Sequence, residues 1–259
     1  MRLHLAIPLG LTLTFGASLF GAGPFGAIPL VAQQGPVTAV PHMDLFPLEV
    51  GTVWIYEGTI WWTPDRSWAI YEERVTWTME VTGRIAHPGA QAVTLKGHPR
   101  DLARWVRGRE PGRYLLVELE GRYYLLEGER AAGAERRLRN RADDLAGLLG
   151  EADLVLDPPL DPGRRFCAPE GSDGAARTYC WGVEDETPAD LRNVFGGANP
   201  ATADSARGRT LYTLSLGAGD EHHVWGFVPG FGLASYAFGH TGTVSAVEVE
   251  LVEIRRPEL

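Results

Sequence analysis

The sequence predicts an α+β fold that is mainly antiparallel β: a twisted or curved sheet, with a half-barrel as one form of it, carrying one amphipathic helix and one short helix. Three observations predict it. Short segments rich in Val, Thr, Trp and Tyr recur from Phe46 onward, cut by Gly, Pro, Asp and Ser turns, as hairpin-linked strands are. One longer stretch, near residues 129–149, instead spaces its apolar residues at a helical period. The last four strand-like segments are joined by links so short that adjacent antiparallel pairing is the expected result.

The first 32 residues, from "MRLHLAIPLG", carry one early cation, Arg2, then apolar and small residues, with no acid before Asp44. This pattern reads as a secretory signal segment. Pro8, Pro24 and Pro29 count against a stable spanning helix, so an uncleaved anchor is the alternative. "GAGPFG", Gly21 to Gly26, spells G-x-G-x-x-G but lies in this leader and outside any βαβ unit, so it is rejected as a nucleotide site. Residues 33–45 are a linker, and 46–259 form one β-rich domain.

"FPLEVGTVWIY", Phe46 to Tyr56, opens the first strand. In "VTWTMEVT" Val75, Trp77, Met79 and Val81 share one face while Thr76, Thr78, Glu80 and Thr82 share the other, which marks a half-buried strand. "YLLVELEGRYYLLEG" reads as a hairpin turning at Glu120 and Gly121. In "ERAAGAERRLRNRADDLAGLLG" Leu138, Ala142, Leu145 and Leu149 form the stripe of an amphipathic helix. "TPADLRNVFGG" suggests the short helix, with Thr187 as cap, Pro188 in the first turn, and Gly196 and Gly197 as the stop. "RTLYTLSL", "HHVWGFV", "LASYAFG" and "TVSAVEVELVEI" close the domain as a meander, with Val247, Val249 and Leu251 inward.

Cys167 and Cys180 are the only cysteines, and in an exported chain they most simply form a disulfide. "GSDG" between them would turn a hairpin stapled across its strands; such a closed loop stabilises by roughly 3 kcal/mol in the chain-entropy picture. A free or redox-active pair and a metal site are the alternatives. Pro47-Leu48-x-x-Gly51-x-x-Trp54 returns as Pro159-Leu160-x-x-Gly163-x-x-Phe166. Either one useful turn arose twice, or a β-rich unit is used twice, as halves 46–128 and 159–259 bridged by the helix.

A net charge of −9 argues against a nucleic-acid partner, which needs clustered cations. The Arg-rich middle, Arg104 to Arg141, alternates with glutamates and reads as an ion-paired surface.

"FPLEVGTVWIY" and the distant "VWGFVPGFGLASY" together resemble a loose group of exported bacterial β-rich proteins. That group has an opening Phe-Pro-Leu-x-x-Gly-x-x-Trp-x-Tyr and a late Trp-x-Phe-x-Pro-Gly-x-Gly-Leu turn. The matching residues are Phe46, Pro47, Leu48, Gly51, Trp54 and Tyr56, then Trp225, Phe227, Pro229, Gly230, Gly232 and Leu233. The resemblance implies an exported compartment (periplasm, cell surface or medium) and a β-rich architecture, without a catalytic activity or a cofactor. The layout also looks like the curved sheets of envelope lipid carriers, an analogy of fold alone.

No nucleophile elbow, zinc-protease motif, phosphate loop or EF-hand occurs. Asp220, Glu221, His222, His223 and His240 could be offered as a metal or acid-base cluster, but adjacent strand residues point to opposite faces, so His222 and His223 cannot share a site. Asp143, Asp144, Glu151, Asp153 and Asp157 read as solvated acids, although paired carboxylates can hydrolyse glycosides at the right separation. Aromatics are the stronger signal. Trp54, Tyr56, Trp61, Trp77, Trp225 and Phe227 are core residues or the lining of an apolar cleft; Trp61 and Trp62 are neighbours and cannot both face one core. The leading function is therefore an exported non-catalytic binding protein for an apolar small molecule or lipid. A structural or protein-interaction module of the envelope, with an envelope protein as partner, is the alternative, and a hydrolase the third.

Overall fold

A computed structural model describes residues 45–63, 69–88, 90–140, 147, 149–150, 152–167, 180–189, 208–218, 220–240 and 244–257, all within the unit Pro41–Leu259. The leader and linker lie outside these residues. Alternation along the strands sets the architecture. In β2 (Tyr71–His87) Trp77, Met79 and Val81 are buried while Thr76, Thr78 and Thr82 are exposed, as the sequence predicts. In β12 (Val244–Arg255) Val247, Val249 and Leu251 are buried between exposed Glu248 and Glu250.

The strands between them are β1 (Val53–Trp62), β3 (Ala90–Lys96), β4 (Arg113–Leu119), β5 (Arg122–Glu127), β6 (Asp153–Leu156), β7 (Arg165–Cys167), β8 (Cys180–Pro188), β9 (Thr210–Ala218), β10 (Glu221–Val228) and β11 (Gly232–Gly239). They form one 12-stranded sheet, β6-β5-β4-β3-β2-β1-β12-β11-β10-β9-β8-β7, antiparallel at every pairing. The first and last strands pair along the whole of β1, from Val53↔Arg255 to Trp62↔Val244. The free edges are then β6 and β7, consecutive in the chain and close in space. The predicted curvature is carried past a half-barrel to a nearly closed ring.

The recurring turn does the same work in both places. Gly51, at φ +92°, donates its N–H to the Val81 carbonyl (2.8 Å), Thr52 donates to Glu49 (3.0 Å), and Val81 donates back to Thr52 (2.9 Å). Gly163, at φ +83°, donates to Val183 (2.7 Å), Arg164 donates to Asp161 (3.0 Å), and Val183 donates back to Arg164 (2.8 Å). Glycine is the residue that adopts this left-handed backbone without a Cβ clash. Trp54 of β1 and Phe166 of β7 then enter the core at equivalent steps. Each turn thus opens a six-stranded meander, β1 to β6 and β7 to β12.

The helix α1 (Gly128–Arg139) ends at Asn140, whose N–H caps the Arg136 carbonyl at 3.1 Å, and lies between β5 and β6, inside the first meander. Leu138 of the predicted stripe is buried, as is Leu149; Ala142 and Leu145 lie outside the described residues. α1 packs on β2, β4 and β5. Its Glu135 pairs with Arg113, which shares a face of β4 with Leu115 and Val117, while Leu116 faces the ring interior. β4 and β5 are therefore covered on both faces, which is why their sequence runs apolar without alternation.

The predicted cap and first turn of the short helix are strand. Thr187 and Pro188 end β8 as extended strand, paired with Leu211 and Thr210, and 190–207 lie outside the described residues. A 3₁₀ helix that the sequence did not predict, Pro99–Arg104, links β3 to β4. His98 caps it through Nδ1, which accepts from the Arg100 N–H at 3.2 Å, and proline takes the first position. It packs on β11 and β12, across the ring. Cys167 and Cys180 face each other across β7 and β8, joined by a disulfide with Cα atoms 4.1 Å apart; the "GSDG" turn lies outside the described residues.

Candidate functional site

In an up-and-down meander, odd strands start and even strands end at the same rim. The ring therefore has two ends. At one, where β1 and β3 finish, the β3–β4 connection folds inward as a plug. Trp105 packs at a tilt against Trp62 (5.6 Å between centroids), which also meets Tyr71 (5.4 Å). Behind it, Asp101 accepts from the Gly112 N–H (2.7 Å) and the Tyr114 hydroxyl (2.8 Å). Burial raises the Asp101 pKa, against these bonds and Arg109. His98 is pushed down by burial and by Arg100. Polar groups of this kind are tolerated inside because they are bonded.

Between the ends the buried hydrophobic residues form one packed cluster. Leu48, Trp54, Met79, His98, Trp225 and Leu233 meet with others around a residual cavity of about 10 Å³, the lower limit for one water. Five of the six aromatics expected as lining are packed there: Trp54, Tyr56, Trp77, Trp225 and Phe227 are each no more than 8% exposed. Their polar tips are mostly used inside the protein. Trp54 Nε1 donates to the Phe231 carbonyl (2.6 Å), Tyr56 Oη to Leu233 (3.0 Å) and Trp77 Nε1 to Gly97 (2.8 Å). Trp61 is half-buried, beside Trp62, which is the member of the pair that packs on Trp105.

The other end is open. A cleft of about 480 Å³ lies where β1, β3, β5, β9 and β11 begin and β2, β4, β10 and β12 end. Phe46, Leu48, Val93 and Tyr123 form its apolar floor; the Phe46 ring packs at a tilt against Tyr123 (5.3 Å) and Phe227 (5.2 Å). Pro47, Pro229 and Gly230 contribute backbone walls. Arg84, Arg209 and Arg256 stand at the rim with Glu49, Gln91 and Glu118.

The two distant sequence motifs meet at this cleft. Val228 to Phe231 is a turn with Pro229 second and Gly230 third, at φ +81°, and the Phe231 N–H donates to Val228 (2.9 Å). Gly230 donates to the Leu45 carbonyl (3.0 Å). Gly232, at φ +82°, lies under Phe46, where a Cβ would sit 2.6 Å from Cδ1. Phe46 and the Pro-Gly-x-Gly-Leu turn are thus one packed unit. Arg209 donates to the Pro229 carbonyl (2.6 Å) and covers the Phe231 ring at 5.1 Å.

Of the remaining candidates, His222 is exposed and His223 buried, on opposite faces as the strand period requires. His223 Nδ1 shares a hydrogen bond with Tyr236 Oη (3.1 Å), and burial and Arg100 lower its pKa to about 4 against the pull of Glu221. His240 pairs with Asp220 instead (3.3 Å). Among the described residues no group of three or more His, Cys, Asp or Glu is arranged for a metal. Asp153 is bound by Arg100 (2.8 Å), and Asp157 by Arg122 (3.1 Å) and Arg164 (2.8 Å). Asp143, Asp144 and Glu151 lie outside the described residues. Most cleft residues carry no sequence signal, since they come from many different strands and only the shared rim joins them.

No family model and no curated protein matches the chain. Among solved structures, a candidate exported protein with a YmcC-like fold from Bacteroides fragilis superposes at TM-score 0.35, with 11% identity, over 83% of this chain and 100% of that one. A candidate lipoprotein from Parabacteroides distasonis gives TM-score 0.33 and 12% identity, over 82% and 99%. A candidate outer membrane lipoprotein-sorting protein domain from Vibrio parahaemolyticus gives 0.24 and 7%, over 80% and 85%. Overlap of this degree does not establish a shared site.

Proposed function

We propose that the protein is an exported, non-catalytic binding protein that takes an apolar small molecule or lipid in the open cleft at the Phe46 end of the ring. The observation that carries this is the contrast between the two spaces. The cavity between Trp54, His98 and Trp225 holds about 10 Å³, whereas the cleft holds about 480 Å³, within the range of small-molecule sites, and has an aromatic floor. Of the aromatics expected from sequence as lining, Phe227 packs against Phe46 of the floor. Export is supported by the apolar N-terminal segment and by the disulfide between Cys167 and Cys180. The packed cluster between the ends also favours the alternative, a structural or interaction module of the envelope, because such a role needs no cavity.

The test is native mass spectrometry of protein exported by a bacterial host, before and after denaturation and solvent extraction. A discrete bound mass, retained by the wild type and lost in Tyr123→Ala, is the expected result. A clean apo mass after incubation with envelope lipids would overturn the binding reading and leave the structural one.

A further inference from the structure

The charge at the cleft differs from the charge elsewhere. Elsewhere most described arginines are held by a carboxylate, among them Arg100 by Asp153, Arg104 by Glu127, Arg107 by Glu73, Arg113 by Glu135, and Arg122 and Arg164 by Asp157. Arg74, Arg136 and Arg165 stand apart from one another on β2, α1 and β7 without such a pair among the described residues. The three cleft arginines bond to neutral oxygens. Arg84 donates to the Gln91 amide (2.7 Å), Arg209 to the Pro229 carbonyl (2.6 Å) and Arg256 to the Gly230 carbonyl (3.2 Å). Among the described residues none of the three has a carboxylate within ion-pair distance. A guanidinium has five N–H donors in a fixed fork, so each retains donors after the bond that orients it.

This arrangement is notable in a chain of net charge −9, where carboxylates outnumber arginines and could have paired with them. The cleft itself holds three cations and two acids, Glu49 and Glu118. Its apolar floor, Phe46, Leu48, Val93 and Tyr123, lies directly beneath that rim.

Resting on the binding reading above, we infer that the cleft recognises an amphiphile with an anionic headgroup, its apolar chain on the Phe46 and Tyr123 floor and its phosphate or carboxylate oxygens bound by Arg84, Arg209 and Arg256. A bidentate guanidinium–oxyanion contact is the strong form of hydrogen bond and selects for charge, while the floor selects for the chain.

The experiment is calorimetric titration of the exported protein with decyl phosphate, decyl maltoside and inorganic phosphate, with both detergents kept below micelle formation. The expected result is that decyl phosphate binds at least about tenfold more tightly than either of the others, with added salt weakening it. Arg84→Gln and Arg256→Gln, both on exposed side chains, should each weaken decyl phosphate by about tenfold and leave decyl maltoside and the unfolding midpoint unchanged. Equal binding of the two decyl probes, or unchanged binding in both arginine variants, overturns the anion inference while the cleft stands. Inorganic phosphate binding as tightly as decyl phosphate also overturns it, because the floor would then contribute nothing. If no decyl probe binds at all, it is the binding reading that fails, and the inference with it.

Discussion

Replacing Gly232 with alanine tests whether the two distant motifs are physically one unit. The substitution has two costs. At φ +82° an L-residue meets its own carbonyl, a penalty of about 1–2 kcal/mol. The new methyl would also lie 2.6 Å from Phe46 Cδ1, and Phe46 is held from its other sides by Phe227 and Tyr123, so overpacking adds about 1–3 kcal/mol. Gly121 supplies the control. It sits at φ +79° in the β4–β5 hairpin with no atom near the position of a Cβ, so Gly121→Ala carries the backbone penalty alone. The entropy that alanine removes from the unfolded chain is common to both and cancels in the difference. Urea unfolding of the disulfide-intact protein should therefore place Gly232→Ala below Gly121→Ala by about 1–3 kcal/mol at similar m-value. Adding Phe46→Ala removes the atom in the way, so the excess should largely vanish in the double variant, a coupling of about 1 kcal/mol or more. Equal stabilities for the two single variants would refute the contact.

Two further predictions concern the core and the plug. Tyr56→Phe deletes the hydroxyl that donates to the Leu233 carbonyl and leaves that acceptor buried, so urea unfolding should show a loss of about 1–3 kcal/mol; a neutral result would mean that the carbonyl finds another donor. Stability should also fall in acid. The folded pKa of His223, about 4, lies below its ordinary 6.5, so the unfolded chain binds the proton more tightly. Its contribution is complete above 6.5 and is lost as pH falls toward 4, by about 1 kcal/mol per pH unit within that window. His98 acts in the same direction and Asp101, raised by burial, in the opposite one. His223→Gln should flatten the profile measured between neutral pH and about pH 5; an unchanged slope would assign the effect to His98.

Elements whose chemistry is local were legible in the sequence. The Glu120-Gly121 hairpin follows from two residues able to take positive φ, 53° and 79°, between apolar runs. The faces of β2 and β12 follow from alternation; the helix starts where predicted, but α1 ends at Arg139 rather than near 149 and holds only Leu138 of the predicted stripe. What failed was context. "TPADLRNVFGG" begins with a good helix signal, yet Thr187 and Pro188 lie on β8, because pairing with β9 outweighs a local cap. The 3₁₀ helix was missed because "HPRDLAR" is too short to show a period; its evident mark is a histidine before a proline. The cleft was hidden for a different reason. Arg84, Arg209 and Arg256 have nothing in common until the strand order is known, after which Arg84, near the end of β2, Arg209, just before β9, and Arg256, just after β12, fall on one rim. Of the cleft residues only Phe46, Pro47, Leu48, Pro229 and Gly230 stood out, as parts of the two motifs.

The repeated turn bears on why the ring closes where it does. If the two meanders were related by a twofold, the β12–β1 and β6–β7 junctions would be equivalent. They are not. β12 and β1 are long and fully paired, whereas β6 is four residues and β7 three. Between these edges the chain runs through Pro158 and Pro159, neither of which has an N–H to give a ladder. The junction is fastened by side chains instead: Arg164, one residue past the repeated glycine, donates to the Asp157 carboxylate (2.8 Å) and to the Pro159 carbonyl, while Arg122 of β5 holds the same carboxylate. In the first copy of the turn the equivalent residue is Thr52, buried and with no ionic partner needed, because β12 already covers that side. One turn thus serves two closures, one by backbone ladder and one by a guanidinium clamp. The cleft shares its rim with both closures. The Phe46 segment and the Pro229 turn are locked together on the ladder side, while Tyr123 of its floor follows Arg122 of the clamp and pairs with Leu156, so a ligand there would meet a surface fixed from both sides.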